Sequence, residues 1–386
     1  MKKKLVKGVN WSGGMIDTFI IVNDGALNDE SIVVAPSLHL LEKAKAGAKK
    51  KTQQSAASDL CSYFEDLHAK EIDWRYVTDT EISSYLGKTL QQERNLSEIS
   101  IERNIASIKD FYKTVAEIGI SDAEIFLSYK YFSEPSMKLQ EGRGAKPKFQ
   151  LFRQYIHKQI LTDLLASVKG KSPFVRERDE LVLNIGFHCG LRSSEVTSTF
   201  NLDTRVIRKV LDQAAERKEL SITLPIIGKG NKLRHVDFNP QITMAIKNFL
   251  EGRRSTLPDG HLICDSLGGC LSESHASRVF KSAKDCGLSR IKKTVVEHKK
   301  TTSDMTPEYM ISFESAKKLV FHSLRHTFAT NLVKHCYKLG IDPWVYVRDQ
   351  MGHEKRETTE TYIVFEANIH ARDAIRTDLS IEDENY

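Results

Sequence analysis

The chain has 386 residues, 40% hydrophobic and 28% charged, which excludes a wholly disordered protein and allows about two to three domains. Its net charge of +6 excludes a strongly acidic protein and is compatible with a polyanionic partner. The 6 cysteines form no C-x-x-C pair, which indicates reduced thiols in a cytoplasmic protein rather than a disulfide framework or a zinc site. No signal peptide or bilayer-spanning apolar run is evident, so we expect no membrane contact.

Residues 1–52 are interpreted as an N-terminal arm without an assigned role. Within the arm, residues 18–22 followed by Asn23-Asp24-Gly25 predict a strand that ends in a turn. Residues 37–52 are rich in leucine, alanine and lysine, and this composition predicts a short basic helix.

Residues 53–138 have the periodicity of a compact helical domain. Apolar residues recur at helical spacing at Leu60, Phe64 and Leu67, and again at Ile101, Ile105, Ile108, Tyr112 and Val115. Gly119 is placed where the second of these helices should end. The pattern alone predicts a bundle of about four helices.

The best linker candidate lies at residues 139–149, because it combines glycine, proline and positive charge. Arg143, Lys146 and Lys148 are its basic residues and are candidate DNA contacts. A solvated linker without a ligand would have the same composition.

Residues 150–386 show a mixed pattern that predicts an α/β domain. Helical periodicity covers about 150–168 and 176–190. Apolar segments at 221–227 and 233–238 flank a basic tip, which predicts a β-hairpin. Residues 290–318 are polar and are expected to form an irregular insertion. The predicted fold class is therefore mainly α with a small antiparallel hairpin.

Four separated islands contain candidate functional residues. In the first, Gly190 is expected to end a helix, and Arg192 and Glu195 follow it. In the second, Lys229 and Lys232 lie at the hairpin tip. Taken alone, the first island is compatible with a surface salt bridge and the second with solvated turn lysines.

The other two islands lie near the end of the chain. His322 and Arg325 share a helix face, where an arginine fork next to a histidine suits an anionic group. His353 precedes Tyr362 by nine residues. A zinc site is the alternative for the histidines, but H-E-x-x-H is absent and the arginine would repel a metal ion. The tyrosine alone would be read as a packing residue.

Together these residue types suit transfer of a phosphodiester without a metal. Two arginines and a histidine can stabilise the charge that develops on the non-bridging oxygens. A tyrosine near cationic groups can act as the nucleophile, with a histidine to accept its proton. A mobile lysine can protonate the departing 5′ oxygen.

The islands G-L-R-S-S-E, G-K-G-N-K, H-S-L-R-H-T-F-A-T-N-L and M-G-H…T-T-E-T-Y resemble, in this order, the signature boxes of the phage integrase or tyrosine recombinase family. The resemblance implies that Arg192 and Arg325 hold the scissile phosphate and that Glu195 orients Arg192. It implies that Lys229 protonates the leaving 5′-hydroxyl, with Lys232 as the alternative.

The same resemblance implies that Tyr362 forms a 3′-phosphotyrosyl link and that His322 assists its proton transfer. His353 would donate a hydrogen bond to the phosphate, whereas His326 would pack or brace. It further implies a helical core-binding domain and a catalytic domain that together form a C-shaped clamp on DNA. No cofactor or metal is implied. The gap between Lys229 and His322 is longer than in compact members.

The expected partners are double-stranded DNA at specific recombination sites and three further copies in a homotetramer on two sites. Accessory DNA-bending or directionality factors, nucleoid association, and docking of residues 364–380 on a neighbouring subunit are also implied. The favoured role is integration or excision of a mobile element. The alternatives are a type IB topoisomerase, a telomere resolvase, a catalytically silent DNA-binding regulator, and a metal-dependent nuclease.

Overall fold

The structure is a computed structural model. It describes residues 1–11, 13–23, 31–121, 151, 154–301 and 312–366. The chain forms two compact units, Met1–Met137 and Lys138–Tyr386. The predicted linker at 139–149, with Arg143, Lys146 and Lys148, lies outside the described residues, as does most of the tail expected to dock on a neighbour.

An antiparallel β-hairpin opens the first unit. Its strands are β1 (Lys2–Trp11) and β2 (Gly14–Val22), and helix α1 (Val34–Lys45) follows them. Phe19 and Ile21 on β2 are buried in the same core as the helices that come later in this unit. The described part of residues 1–52 is therefore packed into the first unit and is not a separate arm, because β2 and α1 supply part of its core.

The remaining helices of the first unit follow the predicted periodicity. They are α2 (Lys50–Ala69), α3 (Asp79–Ser84), a π-helical continuation (Tyr85–Glu93) and α4 (Glu98–Glu117). The stripe on α4 is confirmed, because Ile101, Ile108 and Val115 are fully buried. Gly119 adopts φ = 69° just after α4, as expected of a residue that terminates a helix.

The second unit is built from helices around one two-stranded sheet. Its helices are α5 (Lys158–Leu165), α6 (Pro173–Cys189), α7 (Ser193–Val196), α8 (Thr204–Glu216), α9 (Pro240–Glu251), α10 (His275–Thr301), α11 (Phe313–Lys318), α12 (Phe321–Lys338), α13 (Pro343–Met351) and α14 (356–366). No helix of the described residues is long and apolar enough to cross a membrane.

The predicted β-hairpin of the second unit is confirmed. Strand β3 (Ile222–Ile227) pairs antiparallel with β4 (Leu233–Phe238), and Ile227 lies opposite Leu233 at the turn. Alternate residues of β3 are buried because successive side chains of a strand point to opposite faces. The hairpin is anchored on the core while its basic tip stays exposed.

The expectation of an irregular insertion over 290–318 is wrong for the described residues. Helix α10 continues to Thr301, and α11 covers Phe313–Lys318. Ile291 and Val295 are buried at helical spacing within an otherwise charged segment. Two apolar residues one turn apart are enough to hold this part of α10 on the core. The segment is polar overall, and for this reason its helix was not predicted from the sequence.

Candidate active site

The first of the four islands, which contains Arg192 and Glu195, lies where α6 ends. Gly190 adopts φ = 63°, and a Cβ at this position would lie 2.3 Å from Cδ1 of Phe328. The expected helix end at Gly190 is therefore confirmed, and its lack of a side chain lets α12 approach closely. Arg192 is the N-cap residue of α7, and Glu195 lies on the first turn of that helix.

Glu195 is a buried carboxylate held by two arginines. It accepts hydrogen bonds from the backbone nitrogen and Nη1 of Arg192, at 2.9 and 2.7 Å. It also accepts a forked pair from Nη1 and Nη2 of Arg234, at 3.0 and 2.7 Å. Burial, the largest single effect, opposes ionisation of Glu195. The hydrogen bonds and charge of Arg234, the backbone hydrogen bond from Arg192 and the charge of Arg325 together outweigh burial and lower the pKa of Glu195 to about 2. The carboxylate is thus a fixed anion at neutral pH.

The side chain of Arg325 is buried between two of the islands. Its Nη1 donates to the carbonyl oxygen of Gly190 at 2.6 Å, and its Nη2 donates to the carbonyl oxygen of Met351. Burial, together with the charge of Arg192, lowers the pKa of Arg325 to about 9, so the guanidinium is still protonated at neutral pH. The single carboxylate of Glu195 lies 4.0 Å away and already pairs with two other arginines, so an excess of positive charge remains here that can attract a phosphate.

A cavity of about 560 Å³ opens between the hairpin tip and the end of α13. Its lining includes Arg192, Lys229, Lys232, Arg234 and His353. Lys229 is exposed in the turn, whereas Lys232 forms a 3.0 Å ion pair with Glu354. The basic lining of this cavity suits an anionic ligand.

The hydroxyl of Tyr362 has a histidine partner. The Nδ1 atom of His326 lies 2.6 Å from the hydroxyl oxygen, and the Tyr362 side chain is buried. Burial raises the pKa of Tyr362 to about 12, against the opposing effect of Arg325 and Arg192. Burial, with His322 and Arg325 nearby, lowers the pKa of His326 to about 3, so this ring is neutral at pH 7 and one of its two nitrogens carries no proton.

His322 is the residue to which the family resemblance assigned the proton transfer from Tyr362. Its ring packs edge-on against the His326 ring, with centroids 4.6 Å apart. His326 in turn contacts the hydroxyl of the tyrosine. His326 was expected only to pack or brace, and the structure brings it into hydrogen-bond contact with the predicted nucleophile.

His353 connects the basic cavity with the tyrosine. It lines the cavity, and its ring lies parallel to the Tyr362 ring at a centroid distance of 5.9 Å. Its Nδ1 is engaged by Oγ1 of Thr359 at 3.0 Å, which leaves Nε2 as the nitrogen that could meet a phosphate. Tyr362 and His326 line a second cavity of about 420 Å³.

The predicted catalytic residues are thus brought together from elements that are far apart in the chain. Arg234 joins this group as a residue that was not predicted. No sequence prediction singled it out, because its position on β4 looks like that of any polar strand residue. Among the described residues, no group of three or more histidine, cysteine, aspartate or glutamate side chains is arranged to hold a metal ion.

The chain resembles known proteins in sequence over most of its length. The sequence profile of the phage integrase family matches residues 155–368, more than half of the chain. Tyrosine recombinase XerC of Chlorobaculum tepidum is 26% identical over 338 residues, covering 84% of this chain and 87% of the relative. Tyrosine recombinase XerD of Halalkalibacterium halodurans is 24% identical over 333 residues, covering 83% and 89%.

Two solved structures share the fold. A XerH recombinase bound to a palindromic difH substrate matches with a TM-score of 0.54 and 17% identity, covering 88% of this chain and 84% of that one. A lambda integrase tetramer bound to a Holliday junction matches with a TM-score of 0.53 and 13% identity, covering 83% and 77%. The family match and the relatives, which are named tyrosine recombinases, identify the chain as a DNA strand transferase. The chain belongs to the phage integrase family of tyrosine recombinases.

Proposed function

We propose that this site-specific recombinase cleaves and rejoins DNA through a 3′-phosphotyrosyl intermediate on Tyr362, with neither a metal ion nor ATP. The observation that carries the proposal is the contact of the Tyr362 hydroxyl with His326, at 2.6 Å. The same tyrosine stacks on His353, which lines the cavity shared with Arg192 and Lys229. A nucleophile, a proton acceptor and a basic anion site thus adjoin one another.

In this mechanism Arg192 and Arg325 hold the scissile phosphate. The half-buried Arg192 uses Nη1 for Glu195, which leaves its other guanidinium nitrogens available to phosphate oxygens. Arg325 contributes a buried positive charge that water cannot fully screen. Both charges stabilise the five-coordinate transition state more than the ground state, because negative charge accumulates there.

Proton transfer from Tyr362 accompanies its attack on phosphorus. At a pKa of about 12, roughly one molecule in 10⁵ carries a phenolate at pH 7, so the free anion is too rare to be the reacting species. We infer that Nδ1 of His326 accepts the phenol proton while the new O–P bond forms. The bond to the 5′ oxygen breaks, and this oxygen leaves as a hydroxyl with a proton from Lys229.

Lys229 suits the role of general acid better than Lys232. Lys232 is engaged by Glu354 at 3.0 Å, whereas Lys229 lies exposed on the turn at the rim of the cavity. A lysine on a short turn can follow the leaving oxygen with little backbone movement. The reverse reaction uses the same groups, so the 5′-hydroxyl of another strand can attack the phosphotyrosine and complete strand exchange.

We propose that the partners are double-stranded DNA at two specific sites and three further copies of this chain. The lambda integrase tetramer on a Holliday junction, whose fold this chain shares, supports that assembly. The biological event is integration, excision or resolution of joined DNA, with accessory DNA-bending or directionality factors as further partners. The likeness to XerC and XerD makes resolution as good a candidate as movement of a mobile element.

The proposal can be tested with supercoiled plasmids that carry two copies of a site, one copy or none. The sites would come from DNA that flanks the gene or from selection for tight binding. We expect recombination of the two-site plasmid in EDTA without ATP. Relaxation of the plasmid without a site would indicate a topoisomerase instead. Loss of activity in EDTA would indicate a metal-dependent nuclease.

A further inference from the structure

The side chain of Arg234 contacts three of the catalytic segments. It starts on β4, two residues after the hairpin tip, and its guanidinium is almost fully buried. Two of its nitrogens donate to Glu195, at 3.0 and 2.7 Å. The third, Nε, donates to the carbonyl oxygen of Gln350 at 3.1 Å, in the last turn before His353.

Two glycines of the signature islands make room for this side chain. A Cβ at Gly228 would lie 2.8 Å from Nη1 of Arg234 and 3.0 Å from Oε1 of Glu195. A Cβ at Gly352 would lie 2.8 Å from Cδ of Arg234. Gly228 has φ = −99°, which any residue can adopt, so its lack of a side chain serves the arginine rather than the backbone.

We propose that Arg234 is a positioning residue for strand cleavage, which aligns the turn of Lys229, the Arg192–Glu195 pair and the turn of His353 around the phosphate. This inference rests on the function proposed above. Arg234 acts through its neighbours: its planar fork fixes Glu195, its Nε fixes the end of α13, and its backbone belongs to the hairpin. A lysine could satisfy only part of this geometry.

Arg234 also affects Arg192 by sharing the negative charge of Glu195. The single carboxylate of Glu195 is shared between Arg192 and Arg234, with Arg325 4.0 Å away. Without Arg234, Glu195 would direct its full charge at Arg192 and compete with the phosphate for that guanidinium. Loss of Arg234 should therefore weaken both the phosphate clamp and the placement of the general acid.

The test compares cleavage of two nicked substrates, one with a normal phosphodiester and one with a bridging 5′-sulfur, whose thiolate leaves without a proton. Arg234→Met, Arg234→Lys and Lys229→Ala are compared with the control Arg205→Met, which removes an exposed arginine paired with Asp203. On the normal substrate we expect the Arg234 variants to lose on the order of 100-fold in the cleavage rate constant, with unchanged DNA affinity. The control should match wild type.

The sulfur substrate separates the two effects of Arg234. Lys229→Ala should return to near the wild-type rate, because its missing proton is no longer needed. Arg234→Met should recover only part of its lost cleavage rate, because the contact of Arg192 with the phosphate stays disturbed. Either no recovery or complete recovery would overturn the inference that Arg234 serves both groups, as would a wild-type rate on the normal substrate.

A second variant covers the case in which Arg234→Met does not fold. Gly228→Ala leaves every charged group in place but puts a methyl group against the Arg234–Glu195 contact. We expect it to show the same partial recovery on the sulfur substrate, and a wild-type rate for this variant would also overturn the inference. If the wild-type protein itself forms no adduct on either substrate, the proposed function fails rather than the role of Arg234.

Discussion

The Nδ1 atom of His326 lies 2.6 Å from the hydroxyl oxygen of Tyr362, and the ring of His322 packs edge-on against the ring of His326. The second histidine of the H-S-L-R-H segment is therefore the hydrogen-bond partner of the predicted nucleophile. The two histidines are four residues apart on α12, so they occupy successive turns of one helix face. The hydrogen bond also holds the phenol in one orientation before DNA binds.

Replacement of His326 should therefore impair cleavage more than replacement of His322. We expect His326→Ala to lower the cleavage rate about 100-fold, in the range typical of a lost general base, with little change in DNA affinity. His322→Ala should have the smaller effect, since the His322 ring packs against His326 and the hydrogen bond to the tyrosine hydroxyl is made by His326. Single-turnover cleavage of a nicked substrate measures both. A larger effect for His322→Ala would return the acceptor role to that residue.

Glu195 should contribute strongly to stability. Glu195→Ala would leave Arg192 and the buried Arg234 without their shared anion, and breaking a buried ion pair in this way costs about 3–5 kcal/mol. Glu195→Gln should cost less, because the amide oxygen can still accept one of the hydrogen bonds. Denaturant unfolding gives both values. If both variants lost the same small amount of unfolding free energy, the arginines would have found other partners.

Acid should destabilise the second unit before Glu195 is protonated. Burial lowers the pKa of His326 and of His353 to about 3 and that of His322 to about 4, below the unfolded value of about 6.5. Their contribution to the free energy of unfolding is complete above pH 6.5. It is lost as the pH falls towards 3, because the unfolded chain binds protons at a higher pH than the folded chain does. The contribution of Glu195 is complete above about pH 4.3 and is lost as the pH falls through about 2.

Between about pH 6.5 and 5, these histidines should therefore lower the free energy of unfolding, whereas Glu195 should not yet change it. The free energy of unfolding, measured by denaturant titration across this interval, should fall for the wild-type protein. It should fall less for the double variant His326→Gln, His353→Gln, which has no titrating ring at either position. An unchanged slope in the double variant would show that other groups take up these protons.

DNA binding should depend steeply on salt. Contacts of arginine and lysine with the phosphate backbone release counterions, so the logarithm of the affinity should fall linearly with that of the salt concentration. Fluorescence anisotropy with a labelled duplex measures the slope. Lys229→Ala should reduce the slope by roughly one if this lysine meets a phosphate. A flat response of the wild-type protein would contradict backbone binding.

The sequence predicted the features that depend on local periodicity. The β3–β4 hairpin, the apolar stripe of α4 and the end of α6 at Gly190 follow from alternation, helical spacing and glycine conformation. The continuation of α10 was missed because only Ile291 and Val295 mark it within a charged segment.

Features that depend on tertiary contacts could not be predicted. Arg234 is a polar residue on a strand, and its partners Glu195 and Gln350 lie 39 and 116 residues away in the chain. The choice between His322 and His326 likewise depends on how α14 packs against α12. A motif indicates which residue types meet, but the packing of the helices decides which atoms touch.

The role of Tyr362 as the nucleophile is tested most directly by trapping the covalent intermediate on a nicked suicide substrate and identifying the linked residue by peptide mass spectrometry. We expect a DNA 3′-phosphate on Tyr362 in the wild-type protein, formed in EDTA. We expect no adduct with Tyr362→Phe, although that variant should still bind DNA normally. An adduct on another residue, or cleavage that persists in Tyr362→Phe, would contradict the assignment of the nucleophile.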